Sequence, residues 1–342
     1  MYRTLTASLL FLALSLGALA QSADFSRHIE AGVKQFEAGN YEAAIEEYEE
    51  ALKHEGPKGL AQYEIAYALF SMKEYKKSIK YCDKVLDAKG DYLDKAYMIK
   101  GSCLDLLGEV DDAIATYQTA INDFPESYLL HYNLALAAYN AGKPEMTKKG
   151  CMDALMIYPE HSSSHMLLGY QAKAEGKRVK ALLAFYNFLL VEPNSQRSAG
   201  AYDTLLGLLR QGVEHDGKNK TNISLSLPAE GESDEFAAAE LMLGLLEASK
   251  TTKENKKKTE FELFCESTDS FFTVLGELRK PEHDSFWWTF YVDFFYDMHK
   301  AEQVNTFCAF IMLIEENEDA LTYLEDEKKR ESFIAWLSER SR

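Results

Sequence analysis

Two histidines four residues apart, His161 and His165, have a spacing that could do metal chemistry, because i and i+4 on a helix put two imidazoles on one side of an ion. The pattern around them argues for packing instead. Stepping back 34 residues at a time from His165 gives His131 and then Tyr97, a recurring bulky position, while His161 lies in the preceding turn. No metal and no cofactor is expected. The five cysteines, Cys82, Cys103, Cys151, Cys265 and Cys308, are odd in number and include no C-x-x-C pair, so they form neither a disulfide framework nor a zinc signature. Each reads as a small buried hydrophobe. Cys82 and Cys103 are the one pair placed to meet, which leaves redox regulation as an alternative. No G-x-S-x-G, H-E-x-x-H, P-loop or G-x-G-x-x-G occurs, and carboxylates such as Glu46, Glu47, Glu49 and Glu50 fall on a solvated face. No catalytic residue is expected. An enzymatic alternative would have to use His283 or Asp284, and nothing in the sequence asks for it.

The elements that carry these residues are helical. Of 342 residues, 46% are hydrophobic, so the chain can build a core, and only 7 prolines and 19 glycines punctuate it, few for an all-β protein. Acidic residues outnumber basic ones 55 to 37, giving a formal charge of −18 whose field repels a phosphate backbone. Nucleic acid is not an expected partner. Residues 1–20 read as a signal peptide, with Arg3 in the n-region, an apolar stretch from Leu9 through Leu16, and Ala18 and Ala20 forming an A-x-A cleavage site. That stretch is short against the roughly 20 residues of a spanning helix, and no later segment is long and apolar enough to span. Export to the periplasm, or secretion, is expected.

The middle of the chain repeats with a period of 34: Gly108, Gly142 and Gly176; Tyr117, Cys151 and Phe185; Pro125, Pro159 and Pro193; Gly101, Ala135 and Gly169. Within each unit apolar residues recur at three- and four-residue spacing twice over, which makes two amphipathic helices joined by a tight turn. Such a hairpin cannot bury its face alone, so units must stack. A small residue early in the unit, a Gly between two helices, an Ala and an aromatic on the second helix and a closing Pro resemble the tetratricopeptide repeat. The resemblance implies an all-α solenoid of helical hairpins. It covers five units within residues 21–193, at about 25–58, 59–93, 94–127, 128–161 and 162–195. The C-terminal half resembles uncharacterised regions attached to such repeats in exported, periplasmic Bacteroidota proteins.

Residues 196–250 read as a degenerate sixth hairpin with a loop insertion at 214–234, where Asn222 to Leu227 alternates as a short strand or extended loop would. Residues 257–342 read as a C-terminal helical module. Its aromatic stretch, from Phe286 to Tyr296, is apolar on more than one face and is expected to be the buried hub of the module, with an aromatic ligand cleft as the alternative. Phe307 to Leu313 and a helix from Ala320 to Leu337 are expected to pack around it.

The resemblance also says where a partner would sit. In the repeat, the second, fifth, ninth, twelfth and thirteenth positions of each first helix line the concave side. Here those positions hold Tyr63, Tyr67 and Phe70, then Tyr132 and Tyr139, then Met166 and Tyr170. Aromatics with a polar tip on a rigid surface are common anchors of protein recognition. The Lys and Asn pattern of carboxylate-clamp repeats is missing, since those positions hold Ile29, Val33, Glu64, Lys95 and Ile99. An exported scaffold binding a peptide or protein segment of another envelope protein is therefore expected. The alternative is an envelope-glycan binder using the same tyrosines.

Overall fold

The computed structural model describes residues 23–216, 220–223, 235–250, 252 and 254–340. The expected signal peptide, residues 1–20, lies outside the described residues, as do residues 217–219 and 224–234 of the insertion. The chain divides into two compact units, Met1–Gly150 and Cys151–Arg342.

The first unit is built of antiparallel hairpins: α1 (23–37) with α2 (Tyr41–Ala51), α3 (Lys58–Ser71) with α4 (Tyr75–Ala88), and α5 (Leu93–Leu106) with α6 (Val110–Asp123). A fourth follows, α7 (Tyr128–Asn140) with α8 (Pro144–Ile157), and the division between units falls inside α8. Pro144 opens α8, where its missing N–H costs nothing. The hairpins share one turn chemistry. At Gly39 the amide bonds back to the Phe36 carbonyl and the Asn40 amide to Gln35, both at 2.9 Å, which closes the helix end in a left-handed residue. Gly39, Gly108, Gly142 and Gly176 hold φ between 64° and 82° at these turns. The second hairpin makes the same turn with Lys73 at φ 61°, a left-handed conformation that costs a side-chain-bearing residue.

Packing inside each hairpin follows from residue size. A methyl group placed on Gly32 would run into the Tyr48 ring, one on Gly101 into the Tyr117 ring, and one on Gly169 would press on Phe185 at 3.2 Å. The small residue of the first helix is thus the seat of the large ring on the second. In the fourth hairpin the roles shift, and Gly150 lies against Ala135 and the His131 carbonyl. The second hairpin has Ser78 and Cys82 instead, and the Ser78 hydroxyl donates to the Ala66 carbonyl at 2.7 Å, so the buried oxygen is satisfied. His131 and His165 serve one purpose at one register: Nε2 donates at 2.8 Å to the carbonyl of the preceding proline, Pro125 or Pro159.

In the second unit, α9 (Ser162–Ala174) and α10 (Arg178–Val191) form another hairpin, and the array continues into α11 (Gln196–Arg210). Two strands, β1 (Val213–Asp216) and β2 (Lys220–Ile223), pair antiparallel with Val213 opposite Ile223. Then come α12 (Ala237–Ser249), α13 (Glu260–Leu278), a π-helical segment Trp287–Val292 running into α14 (Asp293–Lys300), α15 (Val304–Met312), α16 (Glu318–Tyr323) and α17 (Glu327–Ser338). Four helices outside the regular repeats, α11, α13, α16 and α17, start with side-chain caps. Ser195 with Ser198 and Thr259 with Glu262 form reciprocal capping boxes at α11 and α13.

One expectation, the last helix, needs correction. In the core of the second unit α10 joins the aromatic stretch, and every residue from Ala181 to Leu189 is buried. Tyr186 at its centre meets Phe272 at 5.2 Å, Phe307 at 5.9 Å and Phe295 at 6.1 Å, and its hydroxyl pairs with Thr268 at 3.0 Å. The run Ala181-Leu-Leu-Ala-Phe-Tyr-Asn-Phe-Leu189 is itself apolar nearly all round, so neighbours must cover each face. The helix expected over Ala320–Leu337 is two helices. Asp326 breaks it by accepting from the Lys328 amide at 3.1 Å, which starts α17 afresh. The aromatic stretch is buried as expected, with Trp288, Tyr291 and Phe295 fully enclosed.

Candidate functional site

Tyr63 and Tyr67 are four apart on α3 and therefore share one face. Their rings are parallel to within 2° with centroids 6.3 Å apart. Phe36 of α1 stacks on Tyr67 at 5.1 Å, and Tyr41 at the start of α2 tilts against Phe36 at 5.1 Å. At the other end Tyr92, in the turn before α5, stacks on Tyr63 at 5.5 Å. The result is a continuous run of rings, Tyr41, Phe36, Tyr67, Tyr63 and Tyr92, drawn from three hairpins of the first unit. Tyr67 at its middle is 40% exposed. The ammonium of Lys95 lies 5.2 Å from the Tyr92 centroid and 5.6 Å from that of Tyr63, within cation–π range.

Acidic groups surround the run. Burial first, then the charge of Glu64, push the Tyr63 hydroxyl up to about 12, so it stays a neutral donor and acceptor. Burial also raises the carboxyl of Glu64, and Lys95 opposes it. Asp94 adds to the negative field at Tyr63. Flat aromatic faces beside carboxylates can stack an apolar or planar cationic group and balance its charge.

The other residues named from sequence are placed differently. Phe70 packs on Tyr75 at 5.8 Å and sits half-buried against the core of the second and third hairpins. Tyr132 is half-buried on α7, whereas Tyr139 is 38% exposed. Met166 and Tyr170 lie on α9 of the second unit, and Tyr170 meets the edge of Phe185 at 5.1 Å. Sequence reasoning missed Phe36, Tyr92, Leu106 and Leu129. Phe36 has the register of Phe70 and Tyr139, and Leu106 and Leu129, both exposed, hold the thirteenth and second positions, so the pattern contained the signal for three of them. Tyr92 holds the thirty-fourth position of the second unit, outside the first-helix positions from which the concave side was read.

The cysteines are all buried and free. Cys82 and Cys103 share one core cluster, and burial, aided by Cys103, pushes the Cys82 thiol up to about 12. They are not the only cysteines close to one another among the described residues: Cys265 of α13 adds to burial in raising the thiol of Cys308 on α15. No group of three or more His, Cys, Asp or Glu among the described residues could hold a metal ion, and no helix among them is long and apolar enough to cross a membrane. His283 stacks on Trp288 at 4.3 Å and its Nδ1 accepts from the Lys280 amide, a packing role.

A model of the tetratricopeptide repeat family matches residues 29–92 and 96–145, so this part of the chain carries tetratricopeptide repeats. No curated protein matches the chain. Among solved structures it is similar to MamA 41-end from Desulfovibrio magneticus RS-1, at 20% identity over 49% of this chain and 95% of that one with a TM-score of 0.44. It is similar to pilF of Pseudomonas aeruginosa at 19% identity over 56% and 91% with a TM-score of 0.45. It is also similar to YrrB, described as a TPR protein with an unusual peptide-binding site, at 17% identity over 52% and 90% with a TM-score of 0.41.

Proposed function

We propose that the chain is a protein-interaction scaffold that docks an extended segment of a partner on the ring run of its first unit. The observation that carries this reading is the stack Phe36–Tyr67–Tyr63–Tyr92 with Tyr67 open to solvent and Lys95 at one end. Rigid rings lose little freedom on binding, and each one desolvated by a partner supplies roughly 1–2 kcal/mol. Tyr139, Leu106 and Leu129 are exposed apolar residues at the twelfth, thirteenth and second positions of later hairpins of the first unit. Glu64, Asp94 and the overall charge of −18 favour a segment that sets an apolar or aromatic side chain next to Lys or Arg. The protein works by binding and carries out no reaction of its own.

The N-terminal pattern of Arg3, Leu9 to Leu16 and Ala18-Leu-Ala20 supports export, which makes the partner an envelope protein of the periplasm or cell surface. Fusing residues 1–24 to a reporter that is active only after export tests the location, and a cytoplasmic reporter would refute it. Crosslinked capture by the mature chain, compared with a Tyr67→Ala variant, tests the docking face. Saturable binding to a glycan with no protein captured would transfer the tyrosines to carbohydrate recognition.

A further inference from the structure

A cavity of about 380 Å³ lies in the second unit where α17 meets α10 and the π-helical segment. Its walls are apolar, formed by Leu190, Val191, Phe290, Phe294 and Leu337, with Glu160 and Arg340 among the polar lining residues. The volume falls in the range of small-molecule sites. Asn187 of α10 also lines it, and this side chain is only 7% exposed. Its amide has no hydrogen-bond partner among the described residues, although almost every other polar group on α10 does. Arg178 donates to the Leu208 and Leu209 carbonyls at 2.6 and 2.8 Å, Lys180 pairs with Glu235 at 2.8 Å, and Tyr186 with Thr268 at 3.0 Å. The amide is not among the fully buried polar atoms left without a partner, so it is reached through the cavity, and a polar group facing this apolar space from α10 is free to pair with what enters it.

We propose that this cavity is a binding site for a largely apolar small molecule carrying a neutral head group that both donates and accepts, such as a carboxamide, which pairs with the Asn187 side chain. An amide offers one donor edge and one acceptor, so a complementary head satisfies both at once. The guanidinium of Arg340 is part of the lining, but it stacks on the Trp336 ring 4.7 Å from its centroid and is over a third exposed, so a charged head would be drawn to the solvent side while a neutral head suits the depth of Asn187. A rigid protein surface cannot reach a side chain buried to this degree, whereas an alkyl amide can. The site is separate from the ring run of the first unit and stands or falls independently of it.

The test uses the mature chain and octanamide as probe, with octanoate and N-acetyl-leucinamide beside it, read by calorimetry and thermal unfolding. Octanamide is expected to bind saturably and raise the melting temperature. Octanoate should bind about tenfold more weakly at pH 7. Asn187→Leu is expected to raise the melting temperature of the free protein, because it replaces the unpaired amide by an apolar side chain of the same branching whose extra volume the cavity can take, and to weaken octanamide about tenfold. Phe294→Ala should weaken all apolar probes alike. No saturable octanamide binding, or an Asn187→Leu protein that melts lower than the parent, would overturn the proposal. Binding of N-acetyl-leucinamide in preference to octanamide would give the site to a peptide and overturn the small-molecule assignment.

Discussion

The imidazole of His165, in the fifth hairpin, accepts a hydrogen bond at Nδ1 from the hydroxyl of Tyr291 at 2.7 Å, across 126 residues of sequence. Its Nε2 is meanwhile committed to the Pro159 carbonyl, so the ring is held neutral with both nitrogens in use. Burial is the main reason that its pKa is lowered to about 4, with nearby His161 adding to the effect.

This neutral imidazole makes stability depend on acid. In the unfolded chain a histidine titrates near 6.5, so between about 6.5 and 4 the unfolded state binds the extra proton. The contribution is therefore fully present above about 6.5, shrinks as pH falls, and is gone once pH has dropped through about 4. The loss is about 3 kcal/mol over the window. Urea unfolding at pH 7.0 and 4.5 should show a steeper decline for the parent than for His165→Gln, which starts less stable but lacks this titration. Equal declines would mean that His165 is already protonated in the fold.

Among the turns inside the five regular hairpins, the left-handed turn at Lys73 is the one without glycine. Lys73→Gly should raise stability by about 0.5–1 kcal/mol, the relief of strain outweighing the greater freedom of the unfolded chain. Gly108→Ala, at φ 82°, should cost about 1 kcal/mol. Chemical unfolding of the two variants gives opposite shifts in midpoint; a destabilised Lys73→Gly would show that the lysine side chain matters more than its backbone.

Close approach of the paired helices sets a graded penalty. Gly101→Ala places a methyl group in the Tyr117 ring and should cost about 1–3 kcal/mol, whereas Gly169→Ala meets Phe185 at 3.2 Å and should cost less. Thermal unfolding orders them. Equal losses would mean that both hairpins relax freely.

Thiol chemistry should be silent in the native state. Cys82, Cys103, Cys151 and Cys308 are buried, and burial raises each thiol, so little thiolate is present near neutral pH. An aromatic disulfide reagent at pH 8 should label none of the five within minutes and all of them after denaturation. Rapid labelling of Cys82 or Cys103 in the folded protein would restore the redox reading.

Much of the repeat architecture was legible because it rests on short-range rules. A small residue sixteen positions before a large ring, as in Gly32 and Tyr48 or Gly101 and Tyr117, is visible in sequence, and so is the turn glycine. The turn at Glu302 was not: its amide bonds to His299 and the Gln303 amide to Met298, the repeat turn again, but no glycine advertises it. The pairings His165–Tyr291 and Cys265–Cys308 were equally hidden, since they join segments that share no period. On the candidate site, register placed Tyr63 and Tyr67 on one face but could not tell that Phe70 turns toward Tyr75 or that Tyr92 completes the stack. Ring orientation depends on neighbouring hairpins, and a register carries no such information.

The most direct test of the docking account is quantitative crosslinked capture from envelope extract by the mature chain, beside Tyr67→Ala and the control Met156→Ala, an exposed apolar residue of α8 that is not a member of the ring run. The account predicts that one envelope protein is enriched by the parent and by Met156→Ala and is depleted about tenfold with Tyr67→Ala. Undiminished capture of that protein by Tyr67→Ala would contradict it.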